Sequence, residues 1–172
     1  RPTSWTRGFI TTTTFFIKVI ALILLKMKKL NEILAAAEVS ATNIKARHWM
    51  VAGPHFYSIH LMLDDVYKTL QKGIDAVAER LRVLGHAPLQ TWAQFAEASP
   101  IKPSEPIDNS TADMTLVALS RNEVMTIVRL IDDGIALEYF DPTTESILTD
   151  FSTELSHHLL FLDGTVNYIS ER

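Results

Sequence analysis

The sequence predicts an all-α fold: a four-helix bundle whose second and third helices are joined by a long crossover containing a short helix. Three observations lead there. Apolar residues recur every three to four positions through four long stretches, the spacing that gives a helix one apolar face. No stretch alternates apolar and polar residues as a half-buried strand does. A connection over residues 86–110, with Pro88, Pro100, Pro103 and Pro106, separates the second stretch from the third; long connections in bundles run from one end to the other.

The N-terminal leader, residues 1–26, reads differently from the rest. Thr11 to Thr14 form a threonine run, and Phe15 to Leu25 are apolar apart from Lys18. That apolar run is too short to span a bilayer as a helix, and no small-residue cleavage site follows it. Met27 resembles a natural start, which makes residues 1–29 an N-terminal extension ahead of a bundle domain over 30–172. A tail that docks on its own assembly or on a partner is the alternative.

The first helix is expected from Leu30 to Val51, ended by Gly53-Pro54. The second runs from about Ser58 to Leu84, with apolar residues from Ile59 through Leu63, Val66, Leu70, Val77 and Leu81 near a 3.5-residue repeat. Gly85 and Pro88 end it. Trp92 to Ala98 suit a short helix inside the crossover. A third long helix begins near Ser110 or Thr111, with Asp113 in capping-box spacing, and turns Leu116, Leu119, Val124, Ile127 and Ile131 inward. The fourth begins after Asp141-Pro142, an N-cap followed by proline at the first helical position. Its inward stripe is Leu148, Phe151, Leu155, His158 and Leu162, and Gly164 is expected to mark its end or a kink.

The chain has 172 residues, 47% of them hydrophobic and 21% charged, enough for one domain with a real core. It has no cysteine, which excludes disulfides, thiolate metal sites and cysteine catalysis. The net charge of −4 is unevenly spread. Residues 1–29 hold Arg1, Arg7, Lys18, Lys26, Lys28 and Lys29 and no acid, so the remainder carries a balance of −10. An acidic body favours metal cations over nucleic acid phosphates, while a short basic leader suits DNA or an anionic surface.

The chemistry concentrates in the first two helices. His60 and Asp64 are four apart, as are Asp75 and Glu79, and eleven residues from Asp64 to Asp75 return to within about 20° of the same helical face. Singly, such residues are more often a solvated face or a satisfied core histidine than metal ligands; five at consistent spacing form a far more specific pattern. If they are ligands, one chain cannot complete the site. His60 and Asp75 lie roughly 22 Å apart along a helix, against ligand bonds of about 2 Å. Two copies of the helix, antiparallel across a two-fold axis near Thr69-Leu70, would bring the His60/Asp64 end of one chain to the Asp75/Glu79 end of the other. His48 at the end of the first helix can join. Two imidazoles and three carboxylates suit iron or another divalent metal with open positions.

The run His48-Trp49, Gly53-Pro54, Phe56, His60, Asp64, then Asp75, Glu79 and Arg80 resembles the signature of the Dps family, the mini-ferritins named for DNA-binding proteins from starved cells. The resemblance covers about Leu30 to Asp163. It implies a ferritin-like bundle assembled into a hollow dodecamer built from two-fold dimers. It also implies iron storage and Fe(II) oxidation by hydrogen peroxide or dioxygen, with iron and oxidant as small-molecule partners and no organic cofactor. In that reading His48, His60 and Asp64 come from one subunit and Asp75 and Glu79 from its mate. Trp49 lies beside the site and takes up oxidising equivalents. Candidates for an acidic iron-entry pore are Asp141, Glu145 and Asp150, although Ser146 stands where many relatives have an aspartate. The family setting implies a cytoplasmic protein with no membrane span and a role in oxidative stress.

DNA binding, usual for the family through a lysine-rich tail, is weakened here because apolar residues and threonine dominate the leader. A DNA-compacting or structural shell with a vestigial metal site is the alternative function. An intrachain di-iron oxidase is disfavoured because Glu154-x-x-His157 has no second Glu-x-x-His to match it. His55, His86, His157 and His158, with Trp5 and Trp92, are read as packing or surface residues.

Overall fold

The structure of the chain, a computed structural model, describes the backbone of residues 5–108 and 110–170 and the side chains of 14–108 and 110–166. The expectation for Trp5 as a packing residue falls outside those side chains. All the described regular structure is helical. The elements are α1 (Trp5–Met50), α2 (Phe56–Val83), α3 (Trp92–Ala98), α4 (Asp113–Ala136) and α5 (Pro142–Ser170).

The four long helices bury the stripes their sequences mark. Leu30, Ile33, Leu34, Ala37, Ala41 and Ile44 of α1 meet Ile59, Leu63, Val66 and Leu70 of α2. Leu116, Val124, Ile127 and Ile131 of α4 meet Leu148, Phe151 and Leu155 of α5 in the same core. The closest pairings are α1 with α2 and α4 with α5, and α2 and α4 barely meet. The crossover is tied along α1. Asn31 Oδ1 accepts the Leu89 N–H at 3.0 Å near its start, and Asn43 holds Lys102 O and the Ser104 N–H near its end. Between them α3 forms where Thr91 and Gln94 make a reciprocal capping box, and it packs on α1.

Several expectations need correction. The first helix begins at Trp5, not Leu30. Nothing between the leader and Leu30 breaks a helix, because neither Gly nor Pro occurs there after Gly8. Burial nevertheless starts at Leu30, with residues 14–25 all exposed. Leu119 points outward at 45% exposure; the buried residues beside it are Leu116, Val117 and Ser120. The Ser110–Asp113 capping box does not form. The residue capping α4 is Ala112, without a side-chain bond, and Asp113 instead accepts the Ala52 N–H at 3.0 Å. Gly164 neither ends nor caps α5, which continues to Ser170.

Two helix ends share one motif with different residues. After α2, the His86 N–H reaches Leu81 O and the Gly85 N–H reaches Arg82 O, with Gly85 at φ +80°. This is the six-to-one, five-to-two Schellman closure. After α4 the same pair of bonds runs from Tyr139 to Gly134 and from Glu138 to Ile135, but the left-handed position is Glu138, at φ +53°. A Cβ is disfavoured there. Glu138→Gly is therefore expected to raise stability by about 0.5–1 kcal/mol, read from the denaturant midpoint. A lowered midpoint would show that the Glu138 side chain contributes more than its backbone costs.

Candidate metal centre

His48 sits at the last turn of α1 and His60 in the second turn of α2. Gly53, at φ +84°, allows the chain to turn between them. The two rings stack with centroids 3.7 Å apart. Each is fixed by the other residue's main chain: His48 Nδ1 lies 2.9 Å from His60 O, and His60 Nδ1 lies 2.9 Å from His48 O. A carbonyl oxygen only accepts, so both Nδ1 atoms carry the proton. In the neutral rings Nε2 then holds the lone pair, the state a metal-binding imidazole needs. Phe56 also meets His60, ring centroids 4.9 Å apart and planes tilted by 30°.

Asp64 stands one turn beyond His60. Lys68 donates to it at 2.7 Å and also reaches Asp65 at 3.3 Å. The Lys68 hydrogen bond holds the Asp64 carboxyl below its ordinary range against a smaller upward pull from desolvation, and the positive field of Lys68, His48 and His60 adds to it. Lys68 is correspondingly raised, first by its bond to Asp64. The anionic form of Asp64 is therefore favoured, held by an ammonium that an incoming cation would have to displace.

Asp75 and Glu79 lie farther along α2, both exposed. His60 and Asp64 are half-buried against the rest of the chain. Asp64 and Asp75 lie within about 20° of one helical face, so the difference comes from what packs beside each end of α2 and not from helix pitch. Among the described residues, no three His, Asp or Glu stand close enough together to hold one metal ion. At the level of Thr69 and Leu70, Leu70 is buried and Thr69 bonds His158, so the residues presented outward are Lys68, Gln71 and Lys72. Trp49 projects from the end of α1, 66% exposed.

A polar network that the sequence did not signal sits directly behind His48. Arg47, its side chain 3% exposed, bonds Glu123 at 2.5 Å, Ser104 at 2.9 Å and Ser120 at 3.3 Å. Glu123 also accepts from Ser40 and Asn43, each at 3.0 Å. No buried side-chain polar atom among the described residues lacks a partner. The network joins α1, α4 and the crossover at the residue preceding His48, which anchors the end of α1.

Compared with known proteins, residues 27–171 match the ferritin-like domain family. A Bacillus anthracis protein, DNA protection during starvation protein 2, is 30% identical over 139 residues, taking in 80% of this chain and 94% of that one. The chain belongs to the Dps family. The solved structure of Dps from Thermosynechococcus elongatus superposes with a TM-score of 0.78 at 23% identity, covering 85% of this chain and 92% of that one, so the fold is shared. A shorter match to a Haemophilus influenzae protein, 38% identical over 74 residues, takes in 46% of that protein's length.

In this Dps chain the three pore candidates do different things. Asp141 caps α5, accepting from the Thr143 and Thr144 N–H groups at 3.1 and 3.2 Å and pairing with Arg80 at 2.8 Å. Partial burial pulls its carboxyl upward, but the Thr144 bonds and Arg80 outweigh this and hold it low. Glu145 lies half-buried in the first turn of α5, and Asp150 is exposed. Of the remaining histidines, His158 bonds Thr69 at 2.8 Å and His157 meets Phe161 edge-on. Both line an open groove of about 980 Å³ between α2 and α5, with His55 at one end. His86 closes the end of α2 through its backbone.

Proposed function

We propose that this Dps-family chain oxidises Fe(II) and stores the ferric product, at sites completed by pairs of subunits. The observation that carries the reading is the reciprocal His48–His60 arrangement, which fixes both tautomers for ligation beside an ionised Asp64. Two copies pair antiparallel along α2. His48, His60 and Asp64 of one then face Asp75 and Glu79 of the other, which gives two equivalent sites per dimer. Trp49 lies next to the site, placed to be oxidised in place of diffusible species.

Iron is substrate and cargo. The carboxylates favour Fe(III) over Fe(II) once charge rises, and the imidazoles leave positions open for oxidant. Family membership points to hydrogen peroxide as the oxidant, with dioxygen as the alternative. Peroxide takes one electron from each of two ferrous ions and leaves as water, with protons drawn from solvent. Twelve subunits around a hollow interior would hold the mineral, with Asp141, Glu145 and Asp150 as candidates for the entry path. Protection of DNA, the role in the Bacillus anthracis relative's name, then follows from removing Fe(II) and peroxide together.

Replacing His60 and Asp64 together with alanine is expected to slow Fe(II) oxidation by roughly tenfold or more. Light scattering should give a mass near twelve subunits for both forms. Unchanged oxidation kinetics would remove these residues from the site, and a monomer would remove the shared-site reading altogether.

A further inference from the structure

Every large apolar side chain between Phe15 and Leu25 is exposed, from 37% at Val19 to 64% at Phe15. These residues belong to α1 but precede Leu30, the first buried one among its described side chains. Eleven residues make about three turns, so the apolar surface runs round the whole helix and only Lys18 interrupts it. A helix apolar on all sides needs apolar surroundings on all sides. A groove on a folded partner covers one face and leaves the rest in water.

The charges choose between the two environments that surround a helix completely: other copies of it, or lipid. Residues 1–29 contain six basic groups and no acid. The first acid, Glu32, is already paired with Lys29 at 2.7 Å. Gathering several such segments would crowd Lys18, Lys26 and Lys28 against their counterparts with nothing to neutralise them. An anionic bilayer supplies both the hydrocarbon and the opposite charge.

We propose that the N-terminal part of α1 inserts into the hydrocarbon of one leaflet of an anionic lipid bilayer, just beneath the headgroups, and tethers the bundle there. The inference stands independently of the metal site. Phe15 to Leu25 extend over roughly 16 Å, about half of a hydrocarbon core near 30 Å thick. No helix among the described residues is long and apolar enough to cross a membrane. Basic residues flank the apolar run in the sequence, Arg7 before it and Lys26 and Lys28 after it, and Lys26 and Lys28 hold its C-terminal end at the headgroups. Lys18 reaches the same level by its long stem. The result is a helix immersed along one leaflet beneath its headgroups, with the buried core of the bundle beginning beyond it at Leu30.

The test is flotation of the full chain with vesicles of phosphatidylcholine alone or mixed with phosphatidylglycerol. The full chain should float with the anionic vesicles and several-fold less with the neutral ones. Phe16→Glu/Ile20→Glu/Leu24→Glu changes three residues remote from the core and should lower the floated fraction roughly tenfold or more. Lys26→Gln/Lys28→Gln should reduce the preference for anionic over neutral vesicles. Without lipid, light scattering should give the full chain and the triple variant the same mass. A full chain that floats with neither vesicle overturns the proposal. So does a smaller mass for the triple variant, which would show that other copies cover the segment.

Discussion

Co-assembling two inactive variants should restore iron oxidation. His60→Ala/Asp64→Ala removes one half of each proposed site, and Asp75→Ala/Glu79→Ala removes the other. Each variant alone should oxidise Fe(II) at least about tenfold more slowly than the unmodified protein. In a dimer containing one subunit of each kind, one site loses all four groups and the other keeps them all. Random assembly from an equal mixture makes half the dimers mixed, so refolding the two variants together should return about a quarter of the unmodified rate. Stopped-flow absorbance of the ferric product reads this directly. A site confined to one chain would give no recovery at any mixing ratio, because no chain in the mixture would carry a complete set. Recovery therefore tests the pairing of subunits separately from the identity of the ligands.

The largest stability effect is expected at Glu123. Arg47 is buried, and among the described residues Glu123 is its only charged partner. Glu123→Ala would leave a guanidinium in a space closed by α1, α4 and the crossover, with only Ser104 and Ser120 to accept from it. Breaking a buried pair in this way costs about 3–5 kcal/mol. The loss should appear as a fall in the denaturant midpoint, measured at fixed protein concentration because assembly also contributes to the transition. Arg47→Met/Glu123→Leu removes both charges and should recover most of the loss. A single variant shifted by less than about 1 kcal/mol would mean that water reaches the pair. The end of α1 hangs on this network, so the single variant should also disturb His48.

The helices were legible because their periodicity is strong and their breaks are chemical: Gly53-Pro54, Gly85 and Asp141-Pro142 stop or start the chain where local sequence demands it. The spacing of His60, Asp64, Asp75 and Glu79 was legible for the same reason, since helix geometry converts sequence distance into position. Tertiary choices were not. Leu119 carries the right residue type for the core but is three residues past Leu116, where the α4 stripe rotates toward Ser120. Ser110 has the spacing of a cap, yet Asp113 bonds Ala52 from another element. The extension of α1 to Trp5 is not legible because the segment buries nothing among its described side chains and its threonine, phenylalanine and β-branched residues are middling helix formers. The Arg47–Glu123 network spans 76 residues, and no local pattern announces it. The mutual bonding of His48 and His60 depends on the depth of the turn between them, which sequence spacing alone leaves open.

That turn has a consequence for how tightly iron can be held. Free imidazoles lose rotamer freedom when a metal orders them, and the loss counts against affinity. Here each ring is already held by the backbone of the other and stacked against it, so the ordering cost is met when the chain folds. At the proposed site, metal arriving later would find two donors whose orientation it does not have to impose. Binding strength at this half of the proposed site would thus be set in part by the short turn around Gly53, a segment outside the proposed ligand set.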